Sequence, residues 1–304
     1  MLVSIIITCY NHKDYIEDTL NSIINQTYTD WELLIGDDSP GGECWNIIQK
    51  FVKKYPDKIH ARHNSHSKWI VWNMKFLLSN ISKESEYVAV LEWDDLYAPD
   101  NLSTKMEIFQ KYPNVKLVYN ECSTVDKDWH IIKNKSLKNA WCKYFYQDEK
   151  IKISDILCSL IPIYHSRSSI MFSVDCIKKY DISIPTLSDK NLISDFIFFT
   201  KVSTNEYVYW LTSPLTLYRV HDNNVSTSTN NSLCRDLIIF WKYLYSLNLI
   251  DGNTLKKVKT KSYITLCFSF LKKSLLNLVL WFKENSFYAL KVIISKIYYS
   301  IRMK

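Results

Sequence analysis

The chain has 304 residues, 47% of them hydrophobic and 23% charged, which is typical of a globular protein with room for one large domain or two small ones. Its net charge of +7 arises in residues 256–304, where eleven lysines or arginines and one glutamate leave a net −3 for the rest. Because a nucleic-acid-binding domain usually carries positive charge on its folded part, this distribution argues against nucleic acid as a partner.

The first predicted elements alternate between strand and helix. Residues 2–8 are a continuous apolar, β-branched run, which indicates a strand covered on both faces. Apolar side chains at helical spacing follow in residues 16–24, and residues 31–38 form a second strand that ends in acid. Apolar residues at helical spacing over 44–55 predict a second helix, which ends before Pro56.

The alternation continues through a short strand over 58–62, a helix over 70–81, a strand over 87–93, a helix that Pro99 opens and a strand over 115–121. It predicts an α/β protein with a mainly parallel sheet, right-handed crossovers and flanking helices. The binding crevice of such a sheet lies at the carboxyl ends of its strands.

Beyond residue 125 the pattern is weaker. It predicts a polar loop over 126–150, a helix over 151–160, a strand over 168–173, a helix over 191–203, an extended segment over 207–221 and helices from 232 onward. We therefore expect one domain over 1–230, with halves at 1–120 and 121–230, and a C-terminal helical extension over 231–304.

Glycine and cysteine usage excludes several kinds of site. With four glycines, the chain contains neither a GxGxxG dinucleotide motif nor a GxxxxGK[ST] phosphate loop. Its eight cysteines form no CxxC pair, and no signal peptide precedes the first predicted strand, so we expect a protein of the reducing cytosol. The cysteine spacing indicates neither a disulfide framework nor a zinc site.

Two groups of acids follow predicted strands, namely Asp37 with Asp38 and Glu92 with Asp94 and Asp95. One interpretation is a solvated strand end in which Asp95 caps the next helix. The other is a divalent cation held by one or two carboxylates, with substrate phosphates completing its coordination. The second acidic pair and the lack of a glycine-rich phosphate-binding loop favour the interpretation as a cation site.

Four segments carry a resemblance that runs over roughly residues 2–226. They are "SIIITCYNHKDYIEDTLNSIINQTYTDWELLIGDDSP" (4–40), "LEWDD" (91–95), "LISDFIFFTK" (192–201) and "YRVHDNNVS" (218–226). In this order they resemble the opening block, the DxD motif, the acidic catalytic motif and the late segment of the GT-A glycosyltransferases of family 2. Glu92 stands where that family has the first Asp of its DxD motif.

The resemblance implies a GT-A, Rossmann-like fold, a nucleotide-sugar donor, Mn²⁺ or Mg²⁺, and inversion at the anomeric carbon. It implies a nucleotide-sugar site made of Thr8, Tyr10, Asn11, Asp37, Asp38, Asn73, Glu92, Trp93 and Asp94. Within this set, Thr8, Tyr10 and Asn11 line the base and ribose pocket, and Asp38, with Asp37 beside it, contacts the nucleoside. The implied metal ligands are Asp94 first, with support from Glu92 and Asp95, and His221, for which a structural role is the alternative.

The same resemblance implies that Asp195 is the general base that takes the proton from an acceptor hydroxyl. Such a base contributes a factor of roughly 10²–10⁴ to the rate. The alternative for Asp195 is an acid in the first turn of a helix, where the helix dipole stabilises it.

The basic tail has uncharged apolar runs of about ten residues, whereas a bilayer span needs about 20. We expect amphipathic helices whose lysines suit an anionic membrane surface, which would make the acceptor lipid-linked. The alternative is that these helices pack on the domain or form an oligomer interface.

We therefore expect an inverting, metal-dependent glycosyltransferase that moves a sugar from a UDP-sugar to a glycan or lipid-linked acceptor. Its expected setting is the assembly of a capsule or O-antigen, in the cytoplasm at the inner face of the membrane. The alternatives are a metal-dependent nucleotidyltransferase or phosphotransferase and a non-catalytic module that binds sugar nucleotides or glycans.

Overall fold

The structure is a computed structural model that describes residues 1–11, 13–64, 70–133, 166–180 and 194–221, together with several positions between 241 and 256. The helix expected over 151–160 and the tail beyond residue 256 lie outside the described residues. Among the residues that are described, no helix combines the length and apolarity needed to cross a membrane.

The described residues up to position 221 form nine strands and six helices. In chain order they are β1 (Leu2–Cys9), α1 (Lys13–Ile24), β2 (Trp31–Asp37), α2 (Glu43–Lys54), β3 (Ile59–His63), α3 (Ile70–Ser79), β4 (Ser85–Val90), β5 (Leu96–Tyr97), α4 (Asn101–Lys111), β6 (Val115–Val125), β7 (Ile131–Lys133), β8 (Ile170–Ser173), α5 (Asp175–Lys179), α6 (Ser194–Asn205) and β9 (Tyr207–Arg219). A 3₁₀ turn (Arg167–Ser169) precedes β8.

All nine strands belong to one sheet with the order β3-β2-β1-β4-β8-β6-β9-β5, and β7 pairs with β6. Strands β3, β2, β1 and β4 are mutually parallel, as the alternation predicts. Strand β8 is antiparallel to both of its neighbours, while β6 and β9 are parallel. The sheet is therefore mixed beyond β4, because the helix–strand alternation that produces parallel pairs stops after residue 125.

Strand β1 lies where the winding of the sheet reverses, since β2 and β3 follow on one side of it and β4 pairs on the other. Ligands of open α/β sheets bind outside the carboxyl ends of the strands at such a switch point. Strand β4 ends at Val90, three residues before the predicted boundary, so the acids at 92–95 lie in the connection to β5 and not in the strand.

The core has a cluster on each face of the sheet. Val3, Ile5 and Ile7 of β1 pack into one cluster with α1, α2 and α4, whereas Ile6 packs into the other with α3 and α6. Successive side chains of a strand point to opposite faces. The continuous apolar run of β1 is thus explained by burial on both faces.

Lys105 of α4 is a buried ionisable group in this core. Its side chain is fully buried, and its Nζ has no hydrogen-bond partner among the described residues. The ammonium lies 5.5 Å from the centre of the Tyr97 ring. Burial lowers the pKa of Lys105 to about 7 from its ordinary value of 10.5.

Replacing Lys105 with methionine is expected to raise stability at neutral pH. Between pH 7 and 10.5 the unfolded lysine is protonated while the folded one is neutral, so the wild-type protein gains stability as pH rises through this window. The slope from this group is at most about 1.4 kcal/mol per pH unit, and Lys105→Met should remove it. Urea unfolding at several pH values measures the slope.

The matched control is Lys111→Met, which removes an exposed lysine from the same helix. We expect it to leave the slope unchanged. An identical pH slope for the wild-type protein and Lys105→Met would contradict the assignment of a neutral, buried Lys105.

Candidate active site

The connection after β4 is fixed against β1 and α1. The amide of Leu91 donates to the carbonyl of Ile6, which continues the alignment of β4 with β1 for one more residue. The Thr19 hydroxyl of α1 lies 2.8 Å from the carbonyl of Trp93 and 2.9 Å from that of Asp95. Helix α1 therefore holds the acidic turn at the carboxyl edge of the sheet.

Asp95 is fully buried under this turn. Its Oδ2 accepts hydrogen bonds from the hydroxyls of Ser166 and Ser168, at 2.8 and 2.5 Å, and its Oδ1 accepts from the amide of Arg219 at 3.1 Å. Both carboxylate oxygens are thus bonded to the segments that lead into β8 and end β9. This arrangement gives Asp95 a structural role, and its expected role as a metal ligand stays a prediction.

Burial raises the pKa of the Asp95 carboxyl well above its ordinary value, and the nearby charge of Asp94 raises it further. The hydrogen bonds from the two serines and from the backbone of Arg219 act in the opposite direction.

Asp94 meets His221 at the edge of the sheet. Its Oδ2 lies 3.1 Å from Nε2 of His221, although the two residues are 127 positions apart in sequence. Both side chains are nearly buried, with 11% of Asp94 and 5% of His221 exposed. The structure thus brings together two of the predicted metal ligands.

Arg219 positions the backbone at Asp94. Its Nε donates to the carbonyl of Asp94 at 3.1 Å, and its guanidinium carbon lies 4.1 Å from the centre of the Tyr15 ring and 3.4 Å from that of Trp129. Burial lowers the pKa of Arg219, while Asp18 opposes that change. Sequence reasoning assigned no role to Arg219, although it lies two positions before His221 in an extended segment and so shares a face with it.

Glu92 and Trp93 complete this turn. Glu92 forms an ion pair with the guanidinium of Arg167. The Trp93 ring stacks on Tyr15 at 6.2 Å and lies tilted 5.8 Å from the ring of His221. Glu92 therefore faces the 3₁₀ turn before β8, while Trp93 packs beside the Asp94–His221 pair.

The second acidic pair ends β2. The Oδ1 of Asp38 accepts a hydrogen bond from Nδ2 of Asn64 at 2.7 Å. The backbone amide of Asp38 donates to the carbonyl of Cys9. Asp37 accepts from the amide of Ser39 at 3.0 Å, and its other oxygen lies 3.0 Å from Nδ1 of His63. Both acids are thus held by groups at the ends of β1 and β3. Asn64, which contacts Asp38, was not identified from the sequence.

The predicted nucleoside residues of β1 lie beside this pair. Thr8 is half-buried within β1, whereas Tyr10 is 47% exposed just beyond its end. Asn11 has a positive φ of 57° and donates its amide to the hydroxyl of Ser39 at 2.8 Å. Asparagine tolerates this left-handed conformation better than most residues do. The edge therefore offers an exposed aromatic ring next to Asp38.

Asn73 of α3 lies beneath the edge and not on it. Its Nδ2 donates to the carbonyl of Gly36 at 2.8 Å, and 1% of the residue is exposed. A Cβ at Gly36 would lie 1.9 Å from Oδ1 of Asn73, so only glycine leaves room for this amide. Asn73 supports the strand that carries Asp37, and its role in donor binding stays a prediction.

Asp195 is the second residue of α6, and its carboxylate lies outside what the structure describes. Further along the same helix, Phe198, Phe199 and Val202 pack into the core against β6 and β8. The position of Asp195 agrees both with the predicted base and with a first-turn acid, so its role also stays a prediction.

The arrangement fits a hard divalent cation. Asp94 supplies a carboxylate and His221 an imidazole, while Glu92 and Asp95 are directed to other protein groups. Magnesium-like ions are held in proteins by one or two carboxylates and keep coordination sites for water and phosphate oxygens. The residues present therefore offer a divalent cation one carboxylate and one imidazole.

A model of the family described as glycosyl transferase family 2 matches residues 4–173. An Escherichia coli protein named UDP-Glc:alpha-D-GlcNAc-diphosphoundecaprenol beta-1,3-glucosyltransferase WfgD is 24% identical over 258 residues, which are 85% of this chain and 83% of WfgD. Three other curated relatives match over between 36% and 40% of this chain, and these matches span between 30% and 42% of the relatives' own length.

Two solved structures share the fold at 16% identity. One is TarS 1–349 of S. aureus in complex with UDP, with a TM-score of 0.60 over 86% of this chain and 71% of TarS. The other is the mannosyltransferase PcManGT of Pyrobaculum calidifontis in complex with GDP-Man and Mn²⁺, with a TM-score of 0.60 over 98% of this chain and 80% of PcManGT.

Proposed function

The chain belongs to glycosyl transferase family 2, and on that basis we propose that it transfers a sugar from a UDP-sugar to a lipid-linked glycan. The observation that carries the proposal is the contact between Asp94 and His221 at the carboxyl edge, where the sheet reverses and Asp38 also lies. The acceptor class is supported by the likeness to WfgD, which is named for a diphosphoundecaprenol-linked acceptor.

The nucleoside is held at the ends of β1 and β2. The ring of Tyr10 is exposed for stacking, and Asp38, fixed by Asn64, accepts hydrogen bonds from the base or the ribose. These side chains bind and orient the donor without taking part in bond making. They place its diphosphate toward the turn at residues 92–95.

Asp94 and His221 would hold Mn²⁺ or Mg²⁺ at the diphosphate end of the donor site. When bound, the ion stabilises the negative charge that develops on the departing nucleotide diphosphate. Arg219 keeps the backbone of Asp94 in place through its hydrogen bond to that carbonyl. Trp93 packs against His221 and limits the access of water to this pair.

Asp195 receives the proton of the acceptor hydroxyl. As the O–H bond breaks, the acceptor oxygen forms a bond to the anomeric carbon, and the bond from that carbon to the diphosphate oxygen breaks on the opposite face. The product is a glycoside of inverted configuration, and the nucleotide diphosphate leaves. We place this reaction in surface polysaccharide assembly, at the cytoplasmic face of the membrane, with the basic residues 256–304 facing anionic lipid.

The test uses the full chain with UDP-, GDP- and CMP-sugars, each with and without Mn²⁺. A ligand that binds the folded protein raises its melting temperature. At a ligand concentration of about 100 times the dissociation constant, the free energy of unfolding increases by about 2.7 kcal/mol. We expect a Mn²⁺-dependent rise with one UDP-sugar, and release of UDP once a diphosphoundecaprenol-linked acceptor is added. Release of pyrophosphate would contradict the proposal and indicate a nucleotidyltransferase.

A further inference from the structure

Two cysteines and an aspartate converge below the nucleoside edge, and a histidine lies beside the aspartate. One ligand atom each from Cys9, Asp37 and Cys44 lies within 4.8 Å of the others. These three residues are buried, with 1%, 0% and 1% exposed. The Nδ1 of His63 lies 3.0 Å from Oδ2 of Asp37 and adds a nitrogen to the two sulfurs and the carboxylate.

The fold explains why residues so distant in sequence meet. Cys9 pairs with Asp37 across β1 and β2, and Asp37 pairs with His63 across β2 and β3, so the three form a row at the carboxyl ends of adjacent strands. Cys44 is the second residue of α2, which follows a turn at Gly42 with φ of 68°. The first turn of α2 therefore places a second sulfur beside the row.

The donor set is that of a borderline-soft cation. Zinc takes four ligands from cysteine sulfur, histidine nitrogen and carboxylate oxygen, at about 2.3 Å for sulfur and about 2.0–2.2 Å for nitrogen and oxygen. Ligand atoms of one tetrahedral ion therefore lie about 3–4 Å apart. The three grouped atoms would move together from within 4.8 Å, and the His63 ring would have to turn toward the two sulfurs. The two cysteine sulfurs distinguish this set from the Asp94–His221 site, because soft thiolates select zinc whereas manganese and magnesium prefer oxygen ligands.

A cation would also fit the charge balance. A buried carboxylate is stable when it is paired or coordinates a metal. Within the described chain, the carboxylate of Asp37 meets the amide of Ser39 and the ring of His63, and no lysine or arginine forms an ion pair with it.

We propose that Cys9, Asp37, Cys44 and His63 bind one zinc ion that joins the carboxyl ends of β1, β2 and β3 to the start of α2. The ion is structural and does not touch the sugar donor. It fixes the edge from which Asp38 and Tyr10 project. The His63 ring stacks on Trp45 at 5.5 Å, and its Nδ1 faces Asp37.

The first measurement is the metal content of the full chain, purified under reducing conditions, by inductively coupled plasma mass spectrometry. We expect about one zinc per chain, and a thiolate-to-cobalt charge-transfer band when Co²⁺ replaces it. Cys9→Ala and Cys44→Ala should lose the band, and His63→Ala should lower metal affinity at least about 10–100-fold.

Two controls make the result specific. Cys122→Ala removes a buried cysteine of β6 outside the cluster and should keep the zinc and the band. Asp94→Asn disrupts the proposed catalytic metal site and should also keep them, so this inference can fail or hold independently of the enzymatic activity. If the cysteine variants do not fold, a zinc-selective chelator applied to the wild-type chain should lower its melting temperature.

Three outcomes would overturn the proposal. They are a chain that folds without zinc and gives no cobalt band, a Cys9–Cys44 disulfide found by mass spectrometry of the protein in its native state, and a cobalt band that survives in both Cys9→Ala and Cys44→Ala.

Discussion

Replacing Asp195 with asparagine is expected to lower kcat by about 10²–10⁴-fold while donor binding is kept. Asparagine has nearly the same shape as aspartate but cannot take the proton of the acceptor hydroxyl, so the attacking oxygen stays a poor nucleophile. Turnover of labelled UDP-sugar gives kcat, and the Mn²⁺-dependent rise in melting temperature with UDP reports donor binding.

The alternative role of Asp195 predicts a different result. An acid that only stabilises the first turn of α6 contributes about 0.3–1 kcal/mol to stability and nothing to the chemical step. The matched control is Asp175→Asn, which removes an exposed acid from the first turn of α5 and its ion pair with Lys116. If Asp195→Asn behaves like this control and keeps its kcat, the assignment of the base is wrong.

Replacing Asp94 with asparagine is expected to lower kcat/KM by about 10²–10³-fold, a loss similar to that of other groups that stabilise transition-state charge. The variant keeps a side chain near His221 but removes the negative charge that the cation needs. Unlike Asp195→Asn, it should also abolish the Mn²⁺ dependence of UDP binding. Isothermal titration with UDP, with and without Mn²⁺, measures that difference.

Asp126→Asn is the control for Asp94→Asn. Asp126 belongs to an acidic group with Asp128 and His130 in the turn between β6 and β7. We expect this variant to leave kcat/KM and the metal dependence unchanged. Equal losses in the two variants would indicate a general effect of acid removal and would contradict a specific metal site at Asp94.

The sequence predicted the first half of the fold well because each element there has its own periodicity. Strands β1 to β4 and helices α1 to α4 follow from apolar spacing, and the parallel pairing follows from their alternation. The antiparallel insertion of β8 between β4 and β6 was not predicted, because four apolar residues carry no information about their pairing partner. The short strand β5 was missed because its two residues are too few to show a periodicity.

The candidate site was predicted as a set of residues and not as a set of contacts. Asp94 and His221 were both named, but a hydrogen bond between residues 127 positions apart depends on the pairing of β5, just after Asp94, with β9, just before His221. The burial of Asp95 could not be read from the sequence either, because its partners Ser166 and Ser168 are ordinary serines in a connection. The cysteine spacing likewise gave no sign that Cys9 and Cys44 meet.

The contacts of Arg219 reduce the conformational entropy that the loop carrying Asp94 would lose when a donor binds. One guanidinium connects β9, the backbone of Asp94, the carbonyl of Lys127 and the aromatic faces of Tyr15 and Trp129. The loop that carries Asp94 is therefore ordered when the chain folds, before any donor arrives. Binding of a sugar nucleotide does not have to freeze this loop, so more of the interaction energy is left for holding the reacting atoms in line.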